Sequence, residues 1–478
     1  MPPSILWLCR DFRFRDNAAL AAAAGAGPVL PVFLIDGALR TQGAASRWRL
    51  QRALLAFDAE LRRRHGATVL VLEGEPWDIL PALAARIGAG SLHRNDWPEP
   101  ATIAAQQRLG RALAGTPVRL VLHPGHLLVH PRALRTGSGG AYRVFTPFAR
   151  ALRAIGPDRP GGEAASLSPL ADPPRGLALD RLDLAPDLHR GRAVLERHAL
   201  PAGEAAAQAR LGDFLDRAAG YAAQRDRPDL QAASGLSEHL AMGEIGPRDL
   251  WAIASARAKA DPAASPGIAA FLTELIWREF AWHLLIEFPR LARQPWRPEW
   301  ADFPWRGDSA ALTRWRRAET GIALVDAGLR EMRVTGRMHN RVRMVAASWL
   351  TKHLLTDWRL GLAHFADSLT DWDPAANAMN WQWVAGCGPD AAPFFRIFNP
   401  ERQAAQFDPQ GRYRRRWLLG WQGAEGEEAR AYFDSLPPGW DVPRTWQDRA
   451  TPERLAQGRS RALEAHATFR RQAPVDDR

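Results

Sequence analysis

Cysteine is nearly absent. The 478 residues contain two, Cys9 and Cys387. Two thiols cannot build a disulfide framework, a four-cysteine zinc site or a four-cysteine iron–sulfur cluster, and no metal site is expected. Lysine is as scarce: among 63 basic residues only Lys259 and Lys352 are lysine, the rest arginine. No uninterrupted apolar run reaches the roughly 20 residues of a membrane span. The opening stretch, Met1 to Arg10, lacks a charged leader followed by an apolar core and cleavage site, so a cytoplasmic protein with no membrane partner is expected. The polar turn after the first apolar stretch, Arg10 to Asn17, carries no G-x-G-x-x-G, which argues against a Rossmann-type dinucleotide site there.

What is present is basic and aromatic. A net charge of +11 and a pI of about 10.7 suit a polyanionic partner held in a salt-dependent way. The plainer reading is an arginine-rich proteome. A hydrophobic content of 46% is that of an ordinary globular protein, and the length suggests about two to four domains. The 20 tryptophans are unevenly spread. Trp7, Trp48, Trp77 and Trp97 precede residue 250 and all others follow it, so the two halves rest on different packing chemistry.

Apolar strand-like runs at Ile5–Cys9, Pro28–Asp36, Ala67–Gly74, Ser91–Arg94 and Val118–His123 alternate with helical patterns at Ala45–His65, Trp77–Ile87 and Ala101–Ala114. That alternation predicts a parallel sheet covered on both faces, with ligands at the carboxyl ends of its strands. Residues 155–205 are rich in Pro, Gly and Ala and read as a long connection. From about Leu211 to Arg471 nearly every segment reads as helix, most clearly Phe271–Glu287, Ile322–Arg333, Asn340–Leu355 and Leu455–Arg470.

Four stretches of the helical half carry chemistry. In Asp371–Trp383, Asp373, Asn377 and Trp381 recur at i, i+4 and i+8, one face of a helix. A carboxylate, an amide and an indole on a buried face need a polar, flat partner, such as an aromatic cofactor with ring nitrogens. The bland alternative is a buried helix with satisfied polar groups. Ser234-Gly235-Leu236-Ser237 precedes a helix and suits a phosphate, or an ordinary N-cap. Glu274, Trp277 and Arg278 share a face that could bond and stack on a nucleobase, or make an i,i+4 ion pair. Asn340, Arg343 and Met344 share another, with Arg343 able to pair with Asp371 or Asp373.

With these blocks in order, the chain resembles the photolyase/cryptochrome family almost end to end. The carriers are Leu6–Asp11 with Asp16-Asn17, Val144–Phe148 (V-F-T-P-F), Ser234–Ser237, Glu274–Phe280 (E-L-I-W-R-E-F), Met338–Met344 (M-H-N-R-V-R-M) and Trp381–Pro400 (W-Q-W to F-F-R-I-F-N-P). Within the family it is most similar to the class I cyclobutane pyrimidine dimer photolyases. The resemblance implies an α/β N-terminal, Rossmann-like parallel-sheet antenna domain (1–130), an interdomain linker (131–205) and an all-α C-terminal FAD-binding domain (206–478). It implies FAD contacts at Tyr221, Ser234, Leu236, Ser237, Arg343, Asp371, Asp373 and Asn377, with Asn377 facing the flavin N5.

The resemblance further implies lesion contacts at Glu274, Trp277, Asn340, Met344 and Trp383, and DNA contacts at Arg278, Arg341 and Gln403. It implies an electron-hopping chain Trp381, Trp358, Trp305. The implied activity is that of a deoxyribodipyrimidine photo-lyase. Reduced FAD under blue light gives an electron to a dimer flipped out of UV-damaged DNA, and the dimer splits. The rival is a cryptochrome-type blue-light receptor without repair. Against it stand the lesion set and the neutral Asn377. The (6-4) class is disfavoured because Asn340 and Met344 stand where it has a histidine pair. A monomer is expected. The antenna chromophore is left open between methenyltetrahydrofolate, a deazaflavin, a second flavin and none. Departures from the family pattern are Ala378-Met379-Asn380 for an N-G-G run, Ala233 for a phosphate-binding Thr, Arg337 for a Trp, and Gln403–Gln406 for Q-G-E-K.

Overall fold

The computed structural model describes residues 1–163, 166–188 and 191–472. Parts of the expected linker and the last residues of the expected C-terminal domain fall outside these. Five strands, β1 (Ser4–Leu8), β2 (Val29–Ile35), β3 (Leu70–Glu73), β4 (Ser91–Asn95) and β5 (Arg119–His123), form one sheet in the order β3-β2-β1-β4-β5. All four pairings are parallel. β1, β2 and β4 are buried along their whole length; β1 and β2 are apolar, as strands between two helical layers tend to be, whereas β4 buries Ser91, His93, Arg94 and Asn95. β5 is a half-exposed edge, so the covering of both faces expected from the sequence stops short of it.

The crossover helices Ala44–His65, Pro76–Ile87 and Pro100–Ala112 start and stop within one or two residues of the hydrophobic pattern. Pro76 and Pro100 sit at helix starts, where a missing N–H costs nothing. Gly66 ends its helix in the left-handed region at φ 63°.

The polar turn after β1 is the joint between the sheet and the helical half. Arg10 donates to the carbonyls of Ala241 and Trp372, and Arg13 to those of Gly243 and Gly125. Asp16 pairs with Arg248 at 2.7 Å. Gly243, at φ 67°, lies where a Cβ would meet the Arg10 carbonyl oxygen at 1.9 Å, so only glycine lets the two backbones touch.

Among the described residues beyond 205, the extended pairing is a single bridge, Arg306 with Thr356. Everything regular is helical, as expected. Helix Ser265–Glu287 packs against helices Phe145–Ile155 and Pro374–Ala385. Its buried side chains Phe271, Ile276, Phe280 and Trp282 share one core with Phe148, Leu152 and Met379. A second core gathers Trp300, Trp315, Trp349, Trp358, Trp381, Trp417 and Trp446.

The pattern Asn340–Leu355 predicts one helix. The structure breaks it: α-helix runs Asn340–Ser348 and continues as a π-turn over Trp349–His353. Lys352 lies within that turn. It is fully buried, donates to the carbonyls of Ala385 and Phe394 at 2.9 and 3.0 Å, and lies 3.4 Å from the centre of the Phe394 ring. Burial lowers its pKa well below the usual lysine value.

Candidate active site

Helix Pro374–Ala385 begins where its sequence says it should. Asp373 is the N-cap and accepts from Ala376 N at 2.8 Å, with Pro374 in the first turn. Asn377, one turn on, donates to the Asp373 carbonyl at 2.9 Å. Asp371 is held bidentately by Arg343 at 3.0 and 2.8 Å, and Arg343 Nε donates to the Met338 carbonyl at 2.7 Å. The Asp371–Asp373 loop is thus fixed to helix Asn340–Ser348 from one side. Trp282 fixes it from the other, its indole N–H donating to Asp373 at 3.0 Å.

Between these two helices lies an open pocket of about 130 Å³ whose lining includes Asn340, Arg343, Met344, Asn377, Asn380 and Trp381. The three positions that share a face on Asn340–Ser348 therefore meet two of the three on Pro374–Ala385. The third, Asp373, sits at the helix mouth. A neutral amide, an indole and a paired guanidinium around one cavity fit a flat heteroaromatic ring with polar edges. An Arg–carboxylate pair this buried is a poor stabiliser by itself, which favours a binding role. The residues present fit an isoalloxazine.

The other expected contacts fall around this pocket rather than in it. Glu274 and Trp277 lie on helix Ser265–Glu287, with Glu274 ion-paired to Arg225 and Trp277 stacked on Phe145 at 3.5 Å and 2°. The i,i+4 pair of Glu274 with Arg278 is not formed. Tyr221 is buried, edge-on to Phe214, and burial pushes its phenol up to about 12. Ser234 Oγ accepts from Leu236 N, and the short helix Ser237–Met242 has Leu236 at its N-cap position with no side-chain cap. The ordinary N-cap reading of this loop is therefore not what forms. Trp383 is half-buried under the Arg396 guanidinium, 5.1 Å away.

Among the DNA-contact expectations, Arg341 pairs with Asp226 at 2.7 Å, and Gln403 leaves its Oε1 buried without a partner. Arg278 turns inward. Its side chain is only 11% exposed and points into the domain joint, donating to the His126 carbonyl and ring and to Glu279. The backbone it meets there is long-range, which helical spacing cannot reveal.

The three tryptophans of the expected chain belong to one core, Trp358 and Trp381 buried in it and Trp305 packed against it. Gly361, one turn past Trp358, lies where a Cβ would meet the Trp381 ring at 2.2 Å. The strand-like bridge of Arg306 with Thr356 brings Trp305 beside the start of the Trp358 helix. The Trp305 and Trp358 indole N–H groups are buried without a partner. Burial pushes Glu279 up to about 7 and His339 down to about 4.

The departures from the family pattern have local answers. Met379 and Ala378 are buried in the core against helix Ser265–Glu287. Arg337 donates to Glu238 at 3.3 Å and to the His198 carbonyl at 3.2 Å. Residues missed in the sequence are Arg225, Phe145 and His126. Arg225 stands four residues after Tyr221, just past the Tyr221–Gln224 turn, and its i+4 spacing was legible; Phe145 and His126 reach the site only through tertiary packing.

Two family models match: DNA photolyase over residues 4–166 and the FAD binding domain of DNA photolyase over residues 271–441. The deoxyribodipyrimidine photo-lyase of Agrobacterium fabrum is 41% identical over 421 residues, 87% of each chain. The chain belongs to the DNA photolyase family. A deoxyribodipyrimidine photo-lyase of Thermus thermophilus is 36% identical over 87% of this photolyase-family chain and 92% of its own. A solved bacterial class III photolyase from Agrobacterium tumefaciens superposes with TM-score 0.87 at 37% identity, covering 99% and 98% of the two chains. The motifs alone point to class I. A Synechocystis cryptochrome shares the fold, with TM-score 0.82 at 24% identity. No helix among the described residues is long and apolar enough to cross a membrane.

Proposed function

We propose that this protein is a light-driven DNA repair enzyme that splits cyclobutane pyrimidine dimers, a deoxyribodipyrimidine photo-lyase. The observation that carries the reading is the shared pocket, which places the lesion-set residues Asn340 and Met344 on the same cavity as the flavin-set residues Arg343 and Asn377. FAD, when bound and reduced, supplies the photoexcited electron that the dimer accepts. The chain's own residues do the rest. Arg343 and Asp371 hold each other and fix one wall of the cavity. Asn377 presents a neutral amide beside the ring position. Tyr221 and the Ser234–Ser237 loop, with Leu236, serve the remainder of the cofactor.

Trp277, backed by Phe145, offers a stacking surface for a base, and Trp383 a second. Glu274, steadied by Arg225, and Asn340 bond the polar base edges. The arginine excess supports UV-damaged DNA as partner, held through phosphates without sequence reading. Arg278, Arg341 and Gln403 form the proposed DNA-contact set. A monomer is part of the same proposal. The sheet-bearing segment 1–130 serves as the antenna domain and 206–478 as the FAD domain, joined by 131–205. Location in the cytoplasm is part of the same proposal.

The test is repair by the chemically reduced protein on single-stranded oligothymidine carrying cyclobutane dimers, read as recovered thymine absorbance under blue light with a dark control. Light-dependent recovery is expected. A flavin-loaded, reduced protein that restores nothing would instead support the receptor reading. Glu274→Ala should lower repair about tenfold while FAD stays bound, as loss of a hydrogen bond to a charged group implies. Trp305→Phe should stop photoreduction of oxidised enzyme and spare repair by pre-reduced enzyme, both read by absorbance. Loss of both would make Trp305 structural.

A further inference from the structure

His126 follows β5 in the chain and belongs to none of the motifs above. Its ring forms a cluster with two indoles: it lies 3.8 Å from Trp97, tilted by 48°, and meets Trp282 edge-on at 4.7 Å and 88°. Arg278 Nη2 lies 2.9 Å from His126 Nε2, and Arg278 Nη1 donates to the His126 carbonyl at 3.0 Å. The same guanidinium then turns its Nε towards Asp373, 3.9 Å away, and Trp282 donates to that same carboxylate oxygen. Ala376 N holds the other oxygen of Asp373, and both side chains that face its Oδ2, Trp282 and Arg278, are in contact with the His126 ring.

The imidazole is held neutral. Burial drives its pKa well below 6.5, and Arg278, Arg13 and Arg10 press in the same direction. A neutral imidazole has one nitrogen lone pair, and Arg278 is the donor beside it. Without that acceptor, a guanidinium facing Glu279 at 3.2 Å and Asp373 at 3.9 Å has no reason to keep its Nε on the second.

We propose that His126 is a positioning residue for the flavin site: through Arg278 and Trp282 it fixes the Asp373 carboxylate in its cofactor-holding orientation, from the sheet-bearing half of the molecule. This rests on the reading of Asp373 as an FAD contact. His126 also lines a pocket at the carboxyl edge of the sheet together with Asp96, Gln106, His123 and Arg132, so that edge and the flavin site share one buried side chain.

The test is a double-mutant cycle on full-length protein, read as the dissociation constant of FAD by flavin fluorescence, with thermal melting of each apoprotein as a folding control. His126→Phe keeps an aromatic ring against the indoles and removes the acceptor; it should weaken FAD binding about tenfold. His126→Asn restores an acceptor and should recover most of that loss, which a purely space-filling role would not allow. Asp373→Asn keeps a good N-cap and should itself weaken FAD binding. In that background His126→Phe should cost almost nothing more. An equal cost of His126→Phe with and without Asp373→Asn, or a His126→Phe protein that binds FAD like the parent, would overturn the proposal alone. An Asp373→Asn protein with unchanged FAD affinity would overturn the underlying assignment of Asp373, and this proposal with it.

Discussion

Two buried polar networks lie within the fold and behave oppositely. In the joint between the halves, Arg49 donates to Glu238 at 3.0 Å and to both oxygens of Glu244 at 3.0 and 2.6 Å. His239 bonds Glu244, Thr370 donates to Glu238 at 2.6 Å, and Gly203 N donates to Glu244 at 2.8 Å. Every carboxylate oxygen there has a protein partner. At the pocket, Arg343 and Asp371 also pair, but Asn377, Asn380 and Arg343 line a cavity. A closed network of charges fixes how two bodies meet. An open one, of the same residue types, is a place prepared for something else.

Breaking the closed network should cost the most. Glu244→Ala leaves Arg49 and His239 facing each other in the interior and should destabilise the fold by about 3–5 kcal/mol in denaturant unfolding. Glu244 is held at about 2, below its ordinary 4.5, so its contribution is full above about pH 4.5 and disappears as pH falls towards 2. The parent should lose stability across that window and Glu244→Ala should lose less. A variant as stable as the parent would remove the contrast between the networks.

Opening the site further should cost little stability and much binding. Asp371→Asn keeps the shape and removes the charge opposite Arg343. FAD affinity should fall about ten- to a hundredfold by fluorescence titration, the range of a lost charge-assisted pair. Melting of the apoprotein should move by only a few degrees. A large drop in apoprotein stability would place this pair with the joint instead.

The smallest effect belongs to Glu279, which stands between the two regions. Its folded pKa is raised to about 7, chiefly by burial, so the protonated form is the one the fold prefers. Its stabilising contribution is present below about pH 4.5 and is lost as pH rises from there through 7. Glu279→Gln should flatten that slope by about 1–2 kcal/mol, measured as unfolding free energy at pH 5 and pH 8. An unchanged slope would mean that Arg278 keeps Glu279 ionised.

The strands, their parallel pairing and most helix limits follow from runs and periods of the chain. β1 and β2 are nearly continuous apolar stretches, and helices end at Gly66, Gly88 and Gly336, each in the left-handed region. The spacing of Asn340, Arg343 and Met344, and of Asn377 and Trp381, is also a local property, because helical geometry alone puts them on faces. Where Arg278 turns, what the buried Lys352 bonds, and that Phe145 lies flat on Trp277 depend on partners 33 to 152 positions away. Composition and period specify what a segment prefers within one or two turns. Long, charged and aromatic side chains choose partners only after the chain has packed, since their desolvation is repaid by whichever acceptor or ring the tertiary structure brings within reach.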